Sequence, residues 1–335
     1  MPRREDAVPS GFRADLQRWR QLVSVDWLAA LLAGELVPAA PASDFQLFDV
    51  ACDGFDKFLS GHIPGAQYLD TRQFERLPFW NKVPDEELLR VLERFAIRPA
   101  STVILCGRNM LAAARVAHLM LVAGVADVRL LDGGSGAWCA AGYALHAGHE
   151  PEAGHPLLPA EAKSVNGDAN NVACAVGAAL PMRFKARPGY LIHTAQVKSL
   201  QARSDGALVS IRTRAEYLGE TSGYSYIQTR GEIAGALWGH AGRDGDVNSM
   251  SNFQDERGRM KPAAEIAGLW EEAGIWPEMQ VVFYCGTGWR ASMAFFYAWL
   301  MGWEHISVYD GGWYEWSSDP ANPVICRTPG LRSLV

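Results

Sequence analysis

The sequence has no uninterrupted apolar run approaching the ~18 residues that cross a bilayer, so no transmembrane helix is expected. It has no CxxC pair. The six cysteines, Cys52, Cys106, Cys139, Cys174, Cys285 and Cys326, are scattered, which fits free thiols in a reducing compartment better than a disulfide framework or a zinc site. Positive charge is in deficit: 31 Lys and Arg against 37 Asp and Glu give a net charge of −6, so no overall basic footprint for nucleic acid exists. Residues 1–20 are charged and lack the apolar stretch of a secretory signal. The expected location is cytoplasmic, or periplasmic if a signal has been removed. His146, His149 and His155 stand in a Pro/Gly-rich stretch with no Cys or acidic residue completing a recognisable ligand spacing. They read as solvated, and no metal or cofactor is expected.

What is present is an ordinary globular composition, 49% hydrophobic and 20% charged, in 335 residues, enough for two domains with sizeable cores. The chain is organised around Val281–Met301, VVFYCGTGWRASMAFFYAWLM. An apolar run ends at Cys285, a short glycine-containing loop follows, and an apolar segment of helical length runs to Gly302. This reads as strand, tight loop, helix, with Cys285 first and Arg290 sixth. A curled loop and a helix start supply free N–H donors and positive potential. A thiol placed there is a candidate nucleophile; the alternative is a buried cysteine at a strand end.

Along the chain, residues 1–21 read as an arm. Ser24 reads as the N-cap of a helix through about Leu32. FQLFDV (45–50) and TVILC (102–106) read as strands, and DEELLRVLERF (85–95) and 111–122 as helices; a short strand at 128–131 and the turn DGGSGAW (132–138) close the unit. Residues 148–189 are rich in Pro, Gly, Ala and polar residues and read as a linker. The first unit then recurs. Thr194 answers Ser24 as a cap, LVSIR (208–212) answers FQLFDV, GEIAGA (231–236) answers GHIPGA (61–66), CGTGWRAS answers CGRNMLAA, and YDGGWYEW answers LDGGSGAW. Cys106 and Cys285 are 179 residues apart, and Trp138 and Trp316 are 178 apart. A repeat this long is a duplicated domain. Alternating strands and helices argue for parallel α/β sheets.

Together these landmarks resemble the rhodanese superfamily, and among its members the tandem-domain thiosulfate and 3-mercaptopyruvate sulfurtransferases, in a divergent bacterial form with a CGTGWR loop. The resemblance covers about residues 22–147 and 190–326. It implies two tandem rhodanese-like domains, 22–147 non-catalytic and 190–335 catalytic, each an open parallel five-stranded sheet with helices on both faces. The cysteine loop would lie at the carboxyl ends of the strands. The implied chemistry is transfer of sulfane sulfur from a small anionic donor through a Cys285 persulfide to cyanide, a small thiol or a protein thiol, with no nucleic acid or membrane involved. Gly286, Thr287, Gly288, Trp289 and Arg290 would stabilise the persulfide. A carrier module relaying persulfide between proteins is the alternative. Six residues from Cys285 to Arg290 match the sulfurtransferase loop, whereas relatives that hydrolyse phosphate esters have seven.

The sequence departs from the family pattern at several places. Gly286 and Thr287 stand where thiosulfate users often carry basic residues, closer to a mercaptopyruvate-type CGSG loop. Arg290 replaces a threonine and reads as a cationic partner for the donor or persulfide, and Trp289 reads as narrowing the pocket. His62 matches a family histidine, with the alternative of a turn histidine bonded to backbone; Asp53 or Asp56 is a weaker match to its aspartate. The DxR motif becomes Ser210-Ile211-Arg212. Glu216 occupies the place of the substrate-clamping arginine, for which Arg214 and Arg230 are the alternative substitutes, and Glu232 replaces the second turn's histidine. Cys106 stands where tandem enzymes usually carry Asp. It is either a second sulfur-carrying thiol or a small buried residue.

Overall fold

The computed structural model describes residues 8–41, 45–52, 54–148 and 184–327. Asp53, His149, His155, Cys174 and most of the expected linker lie outside the described residues. The first half contains β1 (Leu22–Val23), α1 (Val25–Leu32), β2 (Phe45–Ala51), α2 (Phe55–Ser60), β3 (Gln67–Asp70), β4 (Glu75–Arg76), β5 (Asn81–Lys82), α3 (Asp85–Arg94), β6 (Thr102–Cys106), α4 (Met110–Ala123), β7 (Asp127–Leu131) and α5 (Gly134–Ala140). The second contains β8 (Leu191–Ile192), α6 (Thr194–Leu200), β9 (Gly206–Ser210), α7 (Arg214–Leu218), β10 (Glu232–Ile233), β11 (Leu237–Trp238), α8 (Ala263–Glu272), β12 (Gln280–Tyr284), α9 (Trp289–Leu300), β13 (Ile306–Tyr309), α10 (Gly312–Ser318) and β14 (Val324–Ile325).

Each half carries one five-stranded parallel sheet, in the order β1-β7-β6-β2-β3 and β8-β13-β12-β9-β11, the same order in both halves. The fold is therefore α/β, two open five-stranded parallel sheets in tandem, as expected. The central strands β6 and β12 are apolar because both faces are covered by helices. α4 and α9, which follow the two cysteines, are buried nearly all round and pack against each other. An amphipathic pattern would have marked one face for solvent; α4 and α9 are instead mostly apolar on every face and buried, with few polar residues (Arg115 and His118, Arg290 and Ser292), which marks them as the seam between the halves.

Two local expectations change. Ser24 caps α1, its Oγ accepting the Trp27 N–H, but Thr194 lies inside α6. His193 holds the N-cap position there, with its N–H donated to the Gln196 side chain. Thr194 instead bonds the Tyr309 hydroxyl and Glu315. The described part of the expected arm is packed: Leu16 and Trp19 are buried. Arg13 donates to the Met260 and Lys261 carbonyls, Asp15 accepts the Ala263 N–H at the start of α8, and Arg18 donates to Trp299 and Leu300 at the end of α9. Asp15 and Arg18 thus satisfy helix-end groups of the second half, and Arg13 satisfies carbonyls of the loop before α8, roles that charge in the sequence does not reveal.

Candidate active site

Cys285 follows the last residue of β12, and α9 begins at Trp289, so the tight loop is Cys285–Gly288 and Arg290 lies in the helix's first turn. The loop's shape is set from outside. The carbonyls of Cys285 and Gly286 accept N–H bonds from Trp313 and Tyr314 in α10, at 2.7 and 3.0 Å. A trans peptide places its N–H opposite its C=O, so the N–H groups of Gly286 and Thr287 face away from α10. Gly288 is left-handed at φ +98°, and its N–H points at the Cys285 Sγ at 3.2 Å. The sulfur is therefore a hydrogen-bond acceptor. No side chain caps α9 at Gly288, so no side-chain oxygen competes for the first-turn amides. Cys285 is 1% exposed.

Arg290 is not an unpaired cation. Its Nη1 and Nη2 donate to the two Glu216 oxygens at 2.8 and 2.9 Å, and Nη2 also donates to the Tyr224 hydroxyl at 2.7 Å. Burial opposes charge on Glu216, but Arg290 and Arg212 overcome it and hold the carboxyl down at about 2. The buried pair is thus ionised on both sides. The residue expected as a cationic partner for the donor or persulfide is thus paired with Glu216, which stands where the family pattern has arginine.

Arg212 and Glu232 belong to the same buried network. Arg212 donates to Gly231 O, reaches Glu216 and Glu232 at 3.4 Å, and lies over the Trp313 ring. Glu232 accepts from Ser210 Oγ at 2.7 Å and from the Tyr284 hydroxyl. Both are buried supports of the loop. Arg214, stacked on Trp238, and Arg230 are exposed, and neither lines the pocket described below.

A pocket of about 230 Å³ opens beside the loop. Thr287, Trp289 and Arg290 form one side, Tyr224 and Tyr226 another; Trp80, Leu111 and Cys52 come from the first half. Tyr224 lies on the loop backbone: a Cβ on Gly286 would fall 2.3 Å from its ring. Burial pushes the Tyr226 hydroxyl up to about 12, with a hydrogen bond to Thr287 opposing. Residue spacing could not disclose these walls, although the aromatic alternation of Tyr224 and Tyr226 within a Gly- and Ser-rich loop was the available signal.

His62 and Cys106 lie elsewhere. His62 is buried, its Nδ1 3.0 Å from Phe58 O and its ring stacked on Phe58, which is the backbone-bonded turn histidine. Asp56 is exposed. Cys106 is buried and its thiol donates to Phe48 O at 3.3 Å. Burial, reinforced by Asp49, pushes that thiol well above its ordinary value, so it remains protonated. Among the described residues no cluster of His, Cys, Asp or Glu could hold a metal ion, and no helix is long and apolar enough to cross a membrane.

A family model described as "Rhodanese-like domain" matches residues 24–141 and 193–319. The chain is 47% identical over 309 residues to "Thiosulfate sulfurtransferase YnjE" of Escherichia coli (strain K12), covering 92% of this chain and 66% of that protein. It therefore spans just under two thirds of that relative's length. It is 28% identical over 319 residues to "Sulfur carrier protein TtuD" of Thermus thermophilus, covering 90% and 95%. Its fold superposes on the crystal structure of YnjE with TM-score 0.83 at 45% identity, covering 93% of this chain and 70% of that one. A TM-score of 0.81 at 35% identity, covering 94% and 71–72%, relates it to an anaerobic ergothioneine biosynthesis enzyme from Chlorobium limicola bound to its natural substrate trimethyl histidine, and to EanB bound to hercynine. EanB is also known with ergothioneine covalently linked to a persulfide cysteine.

Proposed function

The chain belongs to the rhodanese-like family, and from that premise we propose that it is a sulfurtransferase using Cys285 as a persulfide carrier. The observation that carries this reading is the Gly288 N–H aimed at the Cys285 sulfur at 3.2 Å, in a loop whose carbonyls are turned into α10. Amide donors suit an anionic sulfur and do not require a proton on it. With thiosulfate, the Cys285 thiolate attacks the outer sulfur; the S–S bond of the donor breaks and sulfite leaves with the electron pair. The product is Cys285–S–S⁻. Cyanide or a thiolate then attacks the outer sulfur and regenerates the thiolate, so two half-reactions share one covalent intermediate. With 3-mercaptopyruvate, the leaving group is pyruvate.

The donor enters from the pocket formed by Thr287, Trp289, Tyr224 and Tyr226. Tyr224, resting on Gly286, must shift to expose a sulfur that is 1% accessible. Cys106 is not a second sulfur carrier in this reading, because it is buried and protonated. The test is intact-mass analysis after incubation with thiosulfate, followed by thiocyanate formation on adding cyanide. A +32 Da adduct on Cys285 and turnover lost in Cys285→Ser are expected; turnover that persists in that variant overturns the reading. A +32 Da adduct without turnover to cyanide would mean a carrier role.

A second acceptor class is favoured by the pocket's aromatic walls, Trp80, Trp289, Tyr224 and Tyr226. Flat aromatic faces suit a flat ring carrying a cationic group, such as the trimethyl histidine bound by the structural neighbour. Incubation of persulfide-loaded protein with hercynine should yield ergothioneine by mass. Loss of the adduct to cyanide but not to hercynine removes this second reading.

A further inference from the structure

The first half is built into the wall of the pocket through one buried ion pair. Trp289, the first residue of α9, donates its indole Nε1–H to Glu75 Oε2 at 2.9 Å. The other carboxyl oxygen accepts Arg115 Nε at 2.7 Å. Arg115, from α4, in turn donates through Nη2 to Asp310 at 2.5 Å and to the Trp80 carbonyl at 3.3 Å. Glu75 and Arg115 side chains are both 0% exposed. Trp80 and Trp289 thus face the same pocket from opposite halves and hang on the same pair.

Three features make this more than packing. Trp80 has φ +61°, a left-handed backbone that bulky residues avoid, and its carbonyl is held in that setting by Arg115. Arg115 Nη1 is buried without a hydrogen-bond partner, and it lies 3.1 Å from where a Cβ on Gly288 would stand, against the cysteine loop itself. A buried ion pair contributes little net stability compared with apolar residues of the same volume, so fixing a geometry is the better account of this one.

We infer that Glu75 is a positioning residue that, through Trp289 and Arg115, fixes the width of the donor pocket, so the half that lacks Cys285 sets the substrate range of the half that carries it. This rests on the sulfurtransferase reading of Cys285. The groups facing Glu75 are Arg115 from α4, Asp310 after β13, Tyr226 from the loop before β10 and Trp289 from α9. Lys82, opposite it across the β4–β5 pair, turns its ammonium to Val83 O and Asp85. Burial pushes the Glu75 carboxyl up to about 7, with Arg115 and Trp289 opposing. Below that pH a proton occupies one of the two oxygens that Trp289 and Arg115 share, and the hold on Trp289 loosens.

The test is steady-state turnover of thiosulfate with cyanide for Trp289→Phe, Glu75→Gln and the double variant, across pH 6–8.5. Trp289→Phe keeps the ring and removes only the N–H, so it remains informative if Glu75→Gln fails to fold. KM for thiosulfate should change about tenfold in each single variant with kcat little altered, and the double variant should be no worse than either. Unchanged KM in Trp289→Phe, or effects that multiply in the double variant, would overturn the inference. A readout independent of turnover separates it from the parent reading. In protein labelled at the tryptophan indole nitrogens, the Trp289 N–H resonance should move with a midpoint near pH 7 and be stationary in Glu75→Gln. If that resonance behaves so while wild type takes no sulfur onto Cys285, the sulfurtransferase reading fails and the coupling stands. A stationary wild-type resonance sinks the coupling.

Discussion

The two cysteine loops are built to one plan and end in opposite chemistry. Cys106 and Cys285 both close a central strand and precede a buried helix. In the first loop the thiol is a donor, bonded to Phe48 O; in the second the sulfur is an acceptor, bonded by the Gly288 N–H. The position equivalent to Gly288 is Asn109, whose side chain accepts the Leu111 N–H and so occupies the helix start with its own oxygen. Arg108 folds back onto the Lys57 and Gly61 carbonyls, and Leu111 takes the place of Arg290. One loop has filled its own anion site with side chains. The other has left the Gly288 amide aimed at the sulfur. A cysteine at a strand end becomes reactive when the donors around it have nothing else to bind.

The sharpest way to break this comparison is to exchange each sulfur for oxygen. Cys285→Ser should lower thiosulfate:cyanide turnover by on the order of 10⁴-fold or more, as removal of a covalent nucleophile does, while Cys106→Ser stays within about twofold. A comparable loss at both positions would end the distinction.

Next in size is Glu216→Gln, which has no counterpart effect in the first half because Leu111 needs no partner. It leaves the buried Arg290 guanidinium short of charge, and urea unfolding should show a loss of about 3–5 kcal/mol. Pairing it with Arg290→Met should recover part of that loss; no recovery would mean the two residues are not coupled.

A pH test separates the paired helices. His118 on α4 corresponds to Tyr297 on α9. It is buried, and burial followed by the Arg115 charge pushes its imidazole down to about 3. The folded protein therefore takes a proton there less readily than the unfolded chain. The stability from the neutral imidazole is complete above the unfolded value of ~6.5 and is lost as pH falls below it, by roughly 2–3 kcal/mol at pH 4.5. His118→Asn should flatten the fall in Tm between pH 7 and 4.5.

The smallest expected effect is Asn109→Ala, which removes the cap of α4 and about 1 kcal/mol. Cys106 should remain inert to iodoacetamide, since it stays buried; rapid alkylation would show that the cap alone silences the loop.

Much of this was legible in the sequence because it is local. The strand–loop–helix around Cys285 and the six-residue count to Arg290 are read within one short window, and the duplication is read by matching one short window with another. What was not legible joins residues far apart in the chain. Arg290 and Glu216 are 74 positions apart, and Trp289 and Glu75 are 214 apart. The replacement of arginine by Glu216 was visible, but the residue it compensates was not, because only the folded loop brings the two together. The charged N-terminal residues looked like a loose arm for the same reason: their partners, helix ends of the second half, have no signature near them.

The guanidiniums of Arg290 and Arg115 beside the loop are both paired with buried carboxylates, Glu216 for the first and Glu75 and Asp310 for the second, so neither offers an unmasked positive charge. What remains to greet an incoming anion is a set of peptide dipoles, and a dipole's field fades with distance faster than an ion's. Such a site cannot gather donors from bulk solution; it can only grip those that arrive. Raising ionic strength from about 50 to 500 mM should therefore scarcely move the donor's KM, whereas an unmasked guanidinium would show a clear dependence.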